Sequence, residues 1–72
     1  MAYRVTAVVF DPEQKRVESD YAGEIFQFEV STWYLAFDRL LAEWTARHPL
    51  LVRTYGVEDL EIRTMAMIKK DD

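Results

Sequence analysis

The chain has no cysteine among its 72 residues, so neither a disulfide nor thiol chemistry is available to it. It has a single histidine, His48, which excludes a zinc centre of the usual Cys/His kind. Its only glycines are Gly23 and Gly56, too few and too far apart for a phosphate-cradling loop. No apolar run approaches the roughly 20 residues needed to span a bilayer. The opening MAYRVTAVVF lacks the apolar length and small-residue cleavage site of a signal peptide. These absences lead to the expectation of a soluble cytoplasmic protein with no membrane partner. They also make a single core, at a size near the lower limit for folding without staples.

Positive charge is the scarcer sign: nine bases stand against thirteen acids, for a formal net charge of −4. Non-specific nucleic-acid binding depends on neutralising phosphates, so no direct nucleic-acid contact is expected. A basic partner is compatible with this balance, and so is plain solubility.

Aromatic residues, by contrast, are concentrated. EIFQFEVSTWYLAF, Glu24 to Phe37, places five rings in fourteen residues. Around it the chain reads as alternating strands and one helix. Tyr3 to Phe10 has the β-branched and aromatic character of a strand, with Tyr3, Val5, Ala7 and Val9 on one face and Val8 and Phe10 on the other. Asp11-Pro12 starts a turn, and a second extended segment follows with Val17, Ser19 and Tyr21 on one side. The apolar set then moves to Phe26, Phe28 and Val30. This slip predicts one long strand with a bulge near Gly23, or else two short strands.

Ser31 or Thr32 offers an N-cap, and apolar residues at 33, 37, 40, 41 and 44 have helical spacing, with Ala36, Arg39, Glu43 and Arg47 as the wet side. Pro49 ends this helix. Residues 50–57 read as a brief strand or a packed loop. LEIRTMAMI is a strand with Leu60, Ile62, Thr64, Ala66 and Ile68 opposed to Met65 and Met67. The expected fold is α+β: an antiparallel three- to four-stranded sheet, β-β-α-β, with one helix on one face. Residues 1–72 form one domain, of which 69–72 are a short solvated tail.

One helix covers one sheet face, which leaves Val8, Phe10, Met65 and Met67 facing away from the core. At roughly 25 cal/mol per Å² of apolar area, covering 400 Å² would contribute about 10 kcal/mol before the costs of association. This predicts a partner on that face. Twisting strands and a 50–57 segment folded over the second face would instead leave nothing exposed. Glu18, Asp20 and Glu24, with Glu29 further on, place carboxylates on alternate positions about 6.6–7 Å apart. Such a row can occupy a basic groove in place of phosphates, or protect an edge strand from aggregation.

Chemical constellations are sparse. His48 sits at a helix end, where a charge role suits it better than general-base work on Ser19 or Ser31. Glu58, Asp59 and Glu61 lack a calcium-loop pattern and read as a solvated turn. No catalytic, cofactor or metal residue is assigned, and no enzyme is expected.

The plan of strand, turn, strand, helix and strand in a short acidic chain resembles small bacteriophage-encoded proteins that inhibit host machinery. LAEW, Leu41 to Trp44, followed by a strand with alternating charges, is similar to phage inhibitors of bacterial RNA polymerase. Several anti-CRISPR proteins share the general plan. The resemblance implies stoichiometric binding to a larger host nucleic-acid-handling enzyme in the host cytoplasm, and it carries over no functional residue. The expected partner-binding residues are Phe10, Met65 and Met67 for apolar contact, with Glu18, Asp20 and Glu24 steering a basic partner. A homodimeric structural or accessory subunit, using the same uncovered face, is the alternative.

Overall fold

The structure is a computed structural model and describes residues 2–70. Three antiparallel strands, β1 (Ala2–Phe10), β2 (Glu24–Val30) and β3 (Glu61–Lys70), form one sheet in the order β2-β1-β3. The long helix α2 (Ala36–Arg47) lies between β2 and β3 in sequence, entered through a single 3-10 turn at Trp33–Leu35. Two further helices are inserted, α1 (Pro12–Val17) and α3 (Pro49–Tyr55), so the plain β-β-α-β order with one helix is not what forms.

Both extra helices begin on proline. Pro12 and Pro49 occupy the first helical positions, where a missing N–H costs nothing and the fixed φ suits the helix. At α1 the buried Asp11 also caps: its Oδ1 accepts from the Glu13 N–H at 3.1 Å. The expected second extended segment is therefore helical up to Val17, and Val17 itself is exposed. The 50–57 segment, expected as strand or loop, forms most of α3.

The strand alternation of β1 and β2 is as the sequence suggests. Val5 pairs with Phe28 and Ala7 with Phe26, and all four side chains are buried beneath α2. Gly23 lies before β2 with φ +113, a conformation that disfavours other residues, and its Cβ position is only 3.1 Å from Val8 Cγ1. The expected bulge near Gly23 is not there. The sheet's irregularity falls instead on β3, where Val9 pairs with Ile62 but Val8 with Thr64, leaving Arg63 as an extra residue.

That extra residue reverses the rest of β3. Met65 pairs with Ala7 and Met67 with Val5, so both methionines lie on the helix side, opposite to the sequence expectation. Thr64, Ala66 and Ile68 take the far face instead. Lys69 and Lys70, expected in a tail, belong to β3, while residues 71 and 72 lie outside the described residues.

Helix α2 buries Ala36, Leu40 and Trp44, a stripe repeating every four residues. Ala36, expected on the wet side, is where the helix approaches the sheet, and its small side chain permits that approach. Trp44 meets Phe26 with ring centroids 5.8 Å apart. Arg47 and Arg39 stack over the rings of Phe26 and Phe28 at 3.8 and 5.6 Å. The helix thus sits towards β2, and β3 is left beside it rather than beneath it.

Candidate binding groove

This offset opens a cavity of about 370 Å³ between α2 and the start of β3. Phe37, Leu40, Leu41 and Trp44 form its helical wall, Val9 and Ile62 lie on the sheet side, and Val57, Glu58 and Leu60 complete it. Gly56, with φ +72, turns the chain out of α3 so that Val57 and Leu60 can pack against the core.

Several large apolar side chains stay in water, Phe37 on the cavity wall among them. Trp33 is 61% exposed, Phe37 51% and Met67 42%. Trp33 and Tyr34 meet edge to face at 5.8 Å, a rigid aromatic pair at the helix entry. The molecule is also elongated, with principal extents of 43 × 24 × 16 Å. The solvent-accessible area is 5107 Å², against about 4700 Å² for a compact monomer of this length. The radius of gyration is 13.1 Å, against roughly 11 Å.

The far face of the sheet is more mixed. Val8 is half-buried there, while Ile25 and Ile68 are exposed among Arg4, Gln27 and Glu29. Lys70 Nζ donates to Glu29 Oε2 at 2.9 Å, and this contact holds the Glu29 carboxyl below its ordinary range. Phe10 is not available to a partner: it is 7% exposed. Tyr21 covers it at a centroid distance of 5.3 Å, and the Arg63 guanidinium lies 3.8 Å over its ring. Of the apolar set expected opposite the helix, Met65 and Met67 therefore move to the helix side through Arg63's insertion and Phe10 is covered by Tyr21, while Ile68 joins Ile25 on the far face.

The expected row of carboxylates is also dispersed. Glu18 caps the end of α1 and Asp20 follows in a turn, both exposed, and neither lies on a strand with Glu24. Glu24 is already occupied. Its Oε1 lies 2.7 Å from His48 Nε2 and 3.4 Å from Arg47 Nη1, and its Oε2 accepts the Tyr21 hydroxyl at 3.2 Å. This cluster ties the end of α2 to the start of β2, with the His48 ring 4.5 Å from that of Trp44. Tyr21 is pushed up to about 12, chiefly by burial, with the Glu24 carboxylate adding to the effect. The Asp11 N–H donates to the same hydroxyl at 3.3 Å and works the other way.

Of the six expected contact residues, the structure leaves Met67 exposed beside α2 and Met65 half-buried against the core. Glu18 and Asp20 remain exposed elsewhere, and Phe10 and Glu24 are committed within the chain. Phe37, Leu41, Leu60 and Ile62 were expected as core. Phe37 and Leu41 lie off the 36/40/44 stripe that faces the sheet and so wall the groove, while Leu60 and Ile62 pack against the core from its other side.

Among the described residues, no group of three His, Asp or Glu side chains is placed to hold a metal ion. No described helix is long and apolar enough to cross a membrane. No protein-family model matches the sequence, and no curated protein or solved structure matches it.

Proposed function

We propose that this chain is a small acidic binding protein without chemistry of its own, which docks on a larger protein and inhibits or modulates it. The observation that carries the reading is the open side between α2 and β3, where Phe37 is exposed on the wall of an apolar cavity and Met67 is exposed on the helix side of β3. Methionine and aromatic side chains are the types that fill interface centres, and contiguous exposed apolar surface marks interaction sites. Glu18 and Asp20 supply negative charge away from the groove, suited to steering a basic partner. The resemblance to phage inhibitors supports a host nucleic-acid-handling enzyme as target and the host cytoplasm as the place of action.

The test compares capture from bacterial lysate by the wild-type chain and by Phe37→Asp, with circular dichroism confirming that both are folded. A partner retained by the former, lost by the latter and slowed in its own activity by added wild-type chain is expected. Equal capture by both overturns this docking face. For an identified partner, Glu18→Ser with Asp20→Ser should lower the association rate and its salt dependence; an unchanged rate removes the steering role.

One observation favours a second reading, a symmetric dimer. The edge strand β3 exposes Met67 on one face and Ile68, at 65%, on the other, and a neighbouring strand would cover both. Light scattering over a dilution series separates the two readings: a dimer that survives dilution favours the second.

A further inference from the structure

Building on the groove reading, we infer that the cavity between α2 and the start of β3 receives one large apolar side chain or ring of the partner that also carries a cationic group. Eight of its nine lining residues are apolar, and the ninth is Glu58. At about 370 Å³ the space exceeds what a benzene-sized ring requires, since an engineered cavity of roughly 150 Å³ holds benzene. It lies at the lower end of the range of small-ligand pockets.

Glu58 decides the charge. It is exposed and forms no ion pair or side-chain hydrogen bond among the described residues, whereas its neighbour Glu61 is engaged by Arg63 at 3.8 Å. Glu58 is exposed at the margin of the cavity, so its carboxylate keeps its charge and its water when an occupant enters. A neutral occupant gains nothing from that charge, and an anionic one meets repulsion. An ammonium or guanidinium at the rim gains a partly screened attraction. The chain's net charge of −4 acts in the same direction. The order of preference is therefore cation over neutral over anion, on one shared hydrocarbon frame.

Three indole probes test this on the intact chain: tryptamine, indole and indole-3-acetate, each titrated while amide and Trp44 indole N–H shifts are followed by NMR. Tryptamine should shift Leu41, Trp44, Val57 and Ile62. It should bind about five-fold more tightly than indole, the scale of one partly exposed ion pair. Indole-3-acetate should bind weakest. Glu58→Gln, a surface change that leaves the core untouched, should bring tryptamine and indole to equal affinity. Leu41→Trp, filling the cavity from its half-exposed wall, should remove the shifts for all three.

Equal binding of indole and tryptamine by the wild type overturns the inference, as does a preference that survives Glu58→Gln. Shifts at the same residues that depend on protein concentration without any probe also overturn it, because a second copy then fills the cavity. These failures are separable from failure of the docking face. If the probes bind elsewhere while Phe37→Asp still loses the partner, the face stands and the charge-reading cavity does not.

Discussion

The two flanks of the same sheet face differ in how they are sheltered. Over β2, Phe26 and Phe28 lie beneath Trp44, Leu40 and two arginines, and the Glu24–His48 contact fastens the helix end. Beside β3, Ile62, Met65 and Met67 occupy equivalent inward positions, yet no helix lies across them. Strand alternation says which way a side chain points; only the placement of α2 says whether anything meets it. The β2 flank holds the molecule together, and the β3 flank is left less covered.

The contrast is broken most strongly at Trp44. Trp44→Ala should cost about 3–5 kcal/mol, a large part of the stability of a domain this small, and thermal unfolding should show it as a fall of well over 10 °C. A loss below about 1 kcal/mol would mean that the β2 flank does not hold the fold. Glu24→Ala comes next. It leaves His48 and the Tyr21 hydroxyl without their acceptor and should cost about 1–2 kcal/mol in urea unfolding, with α2 remaining helical.

Alkaline pH sharpens the same comparison. The Tyr21 hydroxyl titrates near 12 when folded and near 10 in an unfolded chain. Its contribution is thus fully present below about pH 10 and is lost as pH rises towards 12. Tyr21→Phe should flatten that decline, and an unaltered profile would place its cause elsewhere. The smallest effects belong to the open flank. Phe37→Ala and Met67→Ala should each change stability by less than about 1 kcal/mol, while Phe37→Ala weakens partner binding. A large stability loss from either would make this flank part of the core.

Much of the covered flank was legible in the sequence. Val5, Ala7 and Val9 against Phe26, Phe28 and Val30 is a period-two pattern with few competing readings. The location of α2 was legible too, because its apolar spacing is long enough to specify a helix. Its rotation was not, since two stripes share Trp44 and sequence does not rank them. Asp11-Pro12 and His48-Pro49 carry helix-start chemistry that also suits turns, and such short helices offer too little periodicity to decide. The bulge at Arg63 had no glycine to announce it, so β3 beyond that residue was assigned backwards, while Ile62 before it keeps its expected inward side.

That surplus residue has a consequence for how the open flank can change. Methionines 65 and 67 line one surface of β3, and threonine, alanine and isoleucine at 64, 66 and 68 line its reverse. Drawing Arg63 into an unbroken ladder opposite Val8 would turn the ribbon over beyond it, presenting the second set on the helix side and hiding the first. Register, rather than any exchange of chemistry, selects which of two ready-made linings this protein shows.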